Sequence, residues 1–166
     1  FAAFGISAAL VRRERTGAPA HIDIPMFDVM LAMQPTNSAM YAATDTAPQR
    51  VGNRHPVSAP FDTYEASDGL FVIAVANDRL FAVLAEALGK PELADDPRFV
   101  TDADRSGNDE ALRNEIEGVS ASRTVADMCA LLDAAGVPAS PVWNMAEALT
   151  SDLGTCLLYT SPSPRD

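Results

Sequence analysis

Residues 61–89 read FDTYEASDGLFVIAVANDRLFAVLAEALG, and this stretch decides the fold. Phe61-Asp62-Thr63-Tyr64 alternates apolar and polar side chains, as a short strand does. Ser67-Asp68-Gly69 supplies turn residues, with Gly69 able to take a left-handed backbone. Leu70 to Val75 is a continuous, β-branched apolar run, the mark of a buried strand. Asn77 or Asp78 then caps a helix over Arg79–Leu88, with Leu80, Phe81, Leu84 and Leu88 as its apolar stripe and Gly89 as its stop. A hairpin leading into an amphipathic helix points to an α/β layer architecture.

Downstream, Lys90–Phe99 reads as a short helical turn and a loop. Amphipathic helices follow near Asn108–Glu117 and Val125–Ala135, the second with Thr124 as N-cap and Gly136 as stop. Val137–Val142 is an extended return segment, and Met145–Leu149 starts another helix. Upstream, Phe1–Arg15 reads as a buried, closely packed helix with Arg12, Arg13 and Arg15 at its C-terminal end, where the helix dipole favours cations. Thr16-Gly17 ends it. His21–Ile24 alternates like a strand, Pro25 breaks the run, and Met26–Met33 is helical, with Met26, Met30 and Met33 as core filler on one face. Residues 34–50 form a connector that is helical over Ser38–Ala43. The tail CLLYTSPSPRD, Cys156–Asp166, has no periodicity. It resembles translated sequencing-adapter read-through, so it is set aside from the fold and expected to pack against nothing.

With 166 residues, 48% of them hydrophobic, the chain suits one domain, or one small domain with part of another. A net charge of -11 argues against nucleic acid or an anionic membrane surface as a partner, because phosphate needs a positive field. Cys129 and Cys156 stand outside any CxxC spacing and read as reduced thiols of a cytoplasmic protein. His21 and His55 are the only histidines, so no His-rich metal site is expected. No apolar stretch reaches the length of a membrane span. The first residue is not Met, and the chain is read as a piece that starts inside an element.

The most polar constellation is GNRHP, residues 52–56. Asn53 and Arg54 beside a glycine can hold a carboxylate or a thioester carbonyl through side-chain and backbone donors, and Pro56 fixes the backbone after His55. The same residues equally suit a polar loop between domains. Asp62, Glu65 and Asp68 could do acid–base work, but two Asp and a Gly around a hairpin are more simply a turn. Asn77-Asp78 at a strand end could reach a ligand or only cap a helix. GxSxG, P-loop and Rossmann glycine patterns are absent from the sequence. Read from its residues alone, this is an acidic α/β chain without a self-sufficient active site.

Four stretches in order, LVRRERTGAPAHIDIPMFDVML, VGNRHPVSAPFDTYEASDGLFVIAVANDRLF, LGKPELADDPRFVTDADRSGN and AAGVPASPVWNMAEAL, resemble family III CoA-transferases of the CaiB/BaiF type. The likeness runs from Phe1 to about Leu153. It implies the end of a Rossmann-like large domain over residues 1–34 and a linker with active-site loop over 35–59. A small α/β domain would follow over 60–153, then a non-native tail over 154–166. The implied activity is acyl-CoA:carboxylate CoA transfer through an aspartyl anhydride, with coenzyme A as acyl-CoA co-substrate, a carboxylic acid as partner and no metal. The nucleophilic aspartate is expected upstream of Phe1, so none of the catalytic residues is expected here and the piece alone should be inactive. The resemblance places Asn53, Arg54, His55 and Pro56 in the substrate loop, with Asp78 and, on the cofactor side, Met26 as further pocket candidates. It also implies an interlaced homodimer at full length. Two alternatives stay open. One is a 2-methylacyl-CoA racemase type, in which Asp78 stands where those relatives carry a glutamate; the other is a non-catalytic stand-alone small domain.

Overall fold

Two parts of the chain pack separately, Phe1–Arg50 and the part from Val51 onward. The computed structural model describes residues 1–159. The first part carries helices α1 (Ala2–Thr16), α2 (Met26–Ala32) and α3 (Pro35–Thr44). The second carries β1 (Phe61–Ala66), β2 (Gly69–Ala74), α4 (Asp78–Ala87), a 3₁₀ turn at Pro91–Ala94 and α5 (Asp102–Gly107). It continues with α6 (Asp109–Ser120), α7 (Val125–Ala134), β3 (Ala139–Pro141), α8 (Met145–Thr150) and α9 (Asp152–Tyr159). No helix among the described residues is long and apolar enough to cross a membrane.

In the first part, Gly17 ends α1 with a left-handed φ of 69°, and its amide donates to the Arg13 carbonyl. The expected burial of this region is not what forms. None of the residues in α1, α2 or α3 is buried, and Phe4, Phe27 and Met33 stand largely exposed. Met26, Met30 and Met33 are therefore not core filler: Met26 is 85% exposed. Apolar periodicity marks a face that suits burial, and residues 1–50 contain no second layer to bury it. The expected strand at His21–Ile24 is also absent. A strand needs a ladder partner, and the described strands all lie beyond Val51. Ile22 and Ile24 instead rest on α1 at Gly5, where an added Cβ would meet Ile24 Cδ1 at 3.2 Å. Pro35, with no amide hydrogen to lose, opens α3 at its first turn, and the helix runs well beyond the expected Ser38–Ala43.

In the second part β2 is the central strand of an antiparallel sheet ordered β1-β2-β3. Phe61 faces Ala74 and Ala66 faces Gly69 across the hairpin, while Phe71 pairs with Pro141 on the other edge. The turn is Ser67-Asp68 alone. Gly69 pairs in the ladder and does not take the left-handed backbone expected of it. Outside contacts shape this turn: the Ser67 amide donates to the Arg123 carbonyl at 2.8 Å, and the Asp68 carboxylate accepts from the Val125 amide at 2.7 Å. One face of the sheet buries Tyr64, Phe71, Ile73 and Val75 against Phe81 and Leu84 of α4, Leu112 and Ile116 of α6, and Met128 and Leu132 of α7. That burial is the main stabilising term of the unit, about 25 cal/mol per Å² of apolar surface.

Helix starts follow the caps. Asn77 Oδ1 accepts from the Leu80 amide at 2.8 Å, so Asn77 is the cap and Asp78 the first residue of α4. Thr124 and Asp127 form a reciprocal capping box. Cys129 on α7 is half-buried. The C-terminal segment departs from expectation too. Ser151 Oγ accepts from the Gly154 amide at 2.9 Å, which starts α9, and this helix carries residues expected to lack regular structure through Tyr159. It packs on α8 so closely at Gly154 that a Cβ there would clash with the Ala148 carbonyl. Residues 160–166 of the expected tail lie outside the described residues.

Candidate functional site

The polar loop 52–56 folds back onto β1 and the α5–α6 junction. The His55 amide donates to the Phe61 carbonyl at 2.7 Å, and its ring stacks on Phe61 with centroids 5.1 Å apart. His55 Nδ1 accepts from the Val57 amide at 3.3 Å, a short turn across Pro56. Asn53 Nδ2 donates to Thr63 Oγ1 at 3.3 Å. Arg54 is held loosely by comparison. Its Nη1 lies 3.5 Å from the Ser106 carbonyl and 4.0 Å from the Asp109 carboxylate, with the side chain 28% exposed. Gly52 makes the loop possible with φ 72°, a region that strains any residue with a Cβ.

Beneath the end of this loop lies Arg105, fully buried. Its Nε donates to the Ala59 carbonyl at 2.7 Å. Nη1 donates to the Phe99 carbonyl at 3.0 Å and the Val100 carbonyl at 3.4 Å. Nη2 donates to Asp78 Oδ1 at 2.9 Å and Asp102 Oδ1 at 3.4 Å. The guanidinium carbon lies 4.5 Å from the centre of the Phe81 ring. Asp102 Oδ1 also accepts from the Ala59 amide at 3.1 Å. Asp78 is thus anchored through one oxygen, although its side chain is 60% exposed.

A second polar network supports β1. Arg113 donates to the Asp62 carboxylate, to Glu117 Oε1 at 2.8 Å and to the Thr63 carbonyl at 2.8 Å. Burial opposes the Arg113 charge, but the hydrogen bond it donates to Glu117 and the charge of Asp62 outweigh it and raise its pKa. The Tyr64 ring lies under this guanidinium. Burial, and then the Asp109 charge, push the Tyr64 phenol above its ordinary range. These contacts tie up Asp62, while Asp68 caps α7, so two of the three hairpin carboxylates serve the fold.

The structure brings Asn53, Arg54, His55 and Pro56 together and links Asp78 to the segment just after their loop through Arg105. Met26 belongs to the first part of the chain. There it lines an apolar groove of about 520 Å³ with Phe1, Ile24, Val29, Met30 and Met33. Among the described residues there is no group of three His, Cys, Asp or Glu side chains able to hold a metal ion. Sequence reading passes over α5, and with it Arg105 and Asp102. The signal that marks this helix is Thr101 followed three residues later by Asp104, which form a capping box.

Comparison with known proteins covers nearly the whole chain. The profile of the family described as CoA-transferase family III matches residues 1–154. The chain is 46% identical over 144 residues to an acetyl-CoA:oxalate CoA-transferase of Acetobacter aceti, covering 87% of this chain and 37% of that protein. It is 38% identical over 145 residues to a succinyl-CoA:mesaconate CoA-transferase of Haloarcula hispanica, covering 87% of this chain and 36% of that one. Among solved structures it is similar to a CaiB/BaiF family protein from Brucella suis, with a TM-score of 0.75 and 37% identity over 92% of this chain and 40% of that chain. Rv3272 from Mycobacterium tuberculosis aligns with a TM-score of 0.78 and 27% identity, over 93% of this chain and 39% of that chain. The chain therefore spans well under half the length of these relatives.

Proposed function

The chain belongs to CoA-transferase family III, and from that premise we propose that the whole protein moves coenzyme A from an acyl-CoA to a free carboxylic acid. The observation that carries this reading is the 46% identity to a named CoA-transferase over 87% of the chain. The partners of the named relatives indicate the acid. Oxalate, mesaconate, citramalate and glutarate occur in their names, and all of these are short dicarboxylic acids. A dicarboxylate leaves one carboxylate free when the other reacts, and a guanidinium is the side chain best shaped to hold it. Arg54 suits that role, because its contacts at 3.5 and 4.0 Å are long enough to be exchanged for a ligand.

In this proposal the chemistry is nucleophilic catalysis by an aspartate expected N-terminal to Phe1. Its carboxylate attacks the thioester carbon, the C–S bond breaks, and CoA leaves as thiolate from an acyl–aspartyl anhydride. The thiolate then attacks the aspartyl carbonyl, which releases the first acid and leaves an enzyme thioester. The second acid runs the same two steps in reverse. In this scheme the loop of Asn53, Arg54, His55 and Pro56 orients the acid and the thioester carbonyl, and the groove at Met26 receives an apolar part of the acyl-CoA. The same membership supports an interlaced homodimer working in the cytoplasm.

The test uses the full-length protein with acetyl-CoA and a panel of mono- and dicarboxylic acids, with products read by mass spectrometry. New acyl-CoA should form with dicarboxylates. Arg54→Ala should raise KM for the dicarboxylate at least tenfold while KM for acetyl-CoA holds, the loss of about 1.4 kcal/mol or more expected of a charge-assisted contact. Exchange of α-hydrogen for deuterium without acid exchange would mark racemase chemistry instead.

A further inference from the structure

We infer that Arg105 is a positioning residue of this site, fixing Asp78 and the segment at Ala59, just after the substrate loop, in one rigid frame. The inference rests on the reading of loop 52–56 as substrate-facing. Three guanidinium nitrogens reach five acceptors on the segment just after the loop, the start of α4, the segment before α5, and α5 itself. Backbone carbonyls alone account for Nε and Nη1. Nη2 is different: it is given to two carboxylates, one of them on the mostly exposed Asp78. A buried cation that holds a surface carboxylate by one oxygen fixes where that carboxylate points. The neighbouring residues extend the frame, since Asp102 takes the Ala59 amide and Ser106 offers its carbonyl to Arg54. The short helix α5 thereby holds the chain at Ala59, just after the loop, and lies within reach of Arg54. Side chains at a reacting centre work only when a supporting layer locks them, and Arg105 is that layer here.

Lysine at this position keeps the charge, but one ammonium cannot reach acceptors that are spread around three guanidinium nitrogens. In the full-length enzyme, Arg105→Lys should lower kcat per folded enzyme on the order of 100-fold, the scale of a small misplacement of reacting groups. KM for both substrates should stay within roughly threefold, because the loss falls in the transition state. Adding Asp78→Asn to Arg105→Lys should cost no more than the worse single change, since both break one connection. If Arg105→Lys does not fold, Asp78→Asn and Asp102→Asn carry the test. These sites are exposed and half-exposed, and their combined loss in kcat should likewise not exceed the larger single loss. A merely structural Arg105 would reduce the amount of folded enzyme and leave its kcat intact, and that outcome overturns the inference. So would fully multiplicative losses. Arg54→Ala and His55→Ala run alongside: if both leave kcat/KM for the dicarboxylate unchanged, the reading of the loop fails, whatever Arg105 does.

Discussion

Replacing Arg105 with methionine should be among the most damaging single changes available in the second part of the chain. Methionine fills the volume of the aliphatic stem, so the loss is polar rather than a cavity. The Ala59 and Phe99 carbonyls, now served at 2.7 and 3.0 Å, would lose their donor in a buried setting. An unpaired buried polar group costs about 1–3 kcal/mol, so two orphaned carbonyls together cost on the order of 4 kcal/mol, while the carboxylates of Asp78 and Asp102 keep access to water. A loss near 4 kcal/mol over a urea dependence of about 1–3 kcal/mol per molar lowers the midpoint by roughly 2 M. Urea titration of the 166-residue chain, followed by circular dichroism and Trp143 fluorescence, measures this directly. Arg98→Met is the control. Its guanidinium is half exposed, paired with the nearby Asp96 and lying over the Phe99 ring, so its midpoint should move little. If Arg105→Met and Arg98→Met shift the midpoint alike, Arg105 does not hold this unit together.

Alkaline pH gives a second expectation. Burial raises the Tyr64 pKa, so the folded chain keeps this proton after the unfolded chain has lost it. The contribution is fully present below about pH 10 and is lost as pH rises above it, by about 1.4 kcal/mol per pH unit. Urea midpoints between pH 9 and pH 11 should therefore fall more steeply for the parent than for Tyr64→Phe, and equal slopes would show Tyr64 to be uninvolved. Burial likewise raises the Cys129 thiol pKa, whereas Cys156 is exposed. Mass-resolved alkylation of the native chain at mildly alkaline pH should modify Cys156 well before Cys129; similar rates would contradict the packing of α7.

What the sequence made legible was local. The alternation of Phe61–Tyr64, the β-branched run after Gly69, and the caps at Asn77 and Thr124 each act within a few residues, and each element formed near its expected place. Partnership was not legible. His21–Ile24 alternates as Phe61–Tyr64 does, yet only the latter has a neighbouring strand to complete its hydrogen bonds. Phe4 and Met26 have the spacing of buried residues but no layer to cover them in residues 1–50. The polarity of loop 52–56 was evident from its residues, whereas its contacts with Thr63 and Ser106 span 10 and 52 residues of sequence. Arg105 escaped for the same reason. Its short helix carries no apolar stripe, and its acceptors at Ala59, Asp78, Phe99 and Asp102 converge only after the sheet and helices have packed.

The most direct test follows oxygen. Full-length protein would turn over an acyl-CoA with an oxygen-18-labelled dicarboxylic acid, and its peptides would then be mapped by mass spectrometry. Covalent transfer through an aspartyl anhydride predicts new acyl-CoA together with heavy oxygen, one atom after the first turnover and up to two after many, on a single aspartate outside residues 1–166. Acyl-CoA formation with no label on the protein, or with label on an aspartate within these residues, would contradict the division of labour between an attacking carboxylate elsewhere and an orienting frame here.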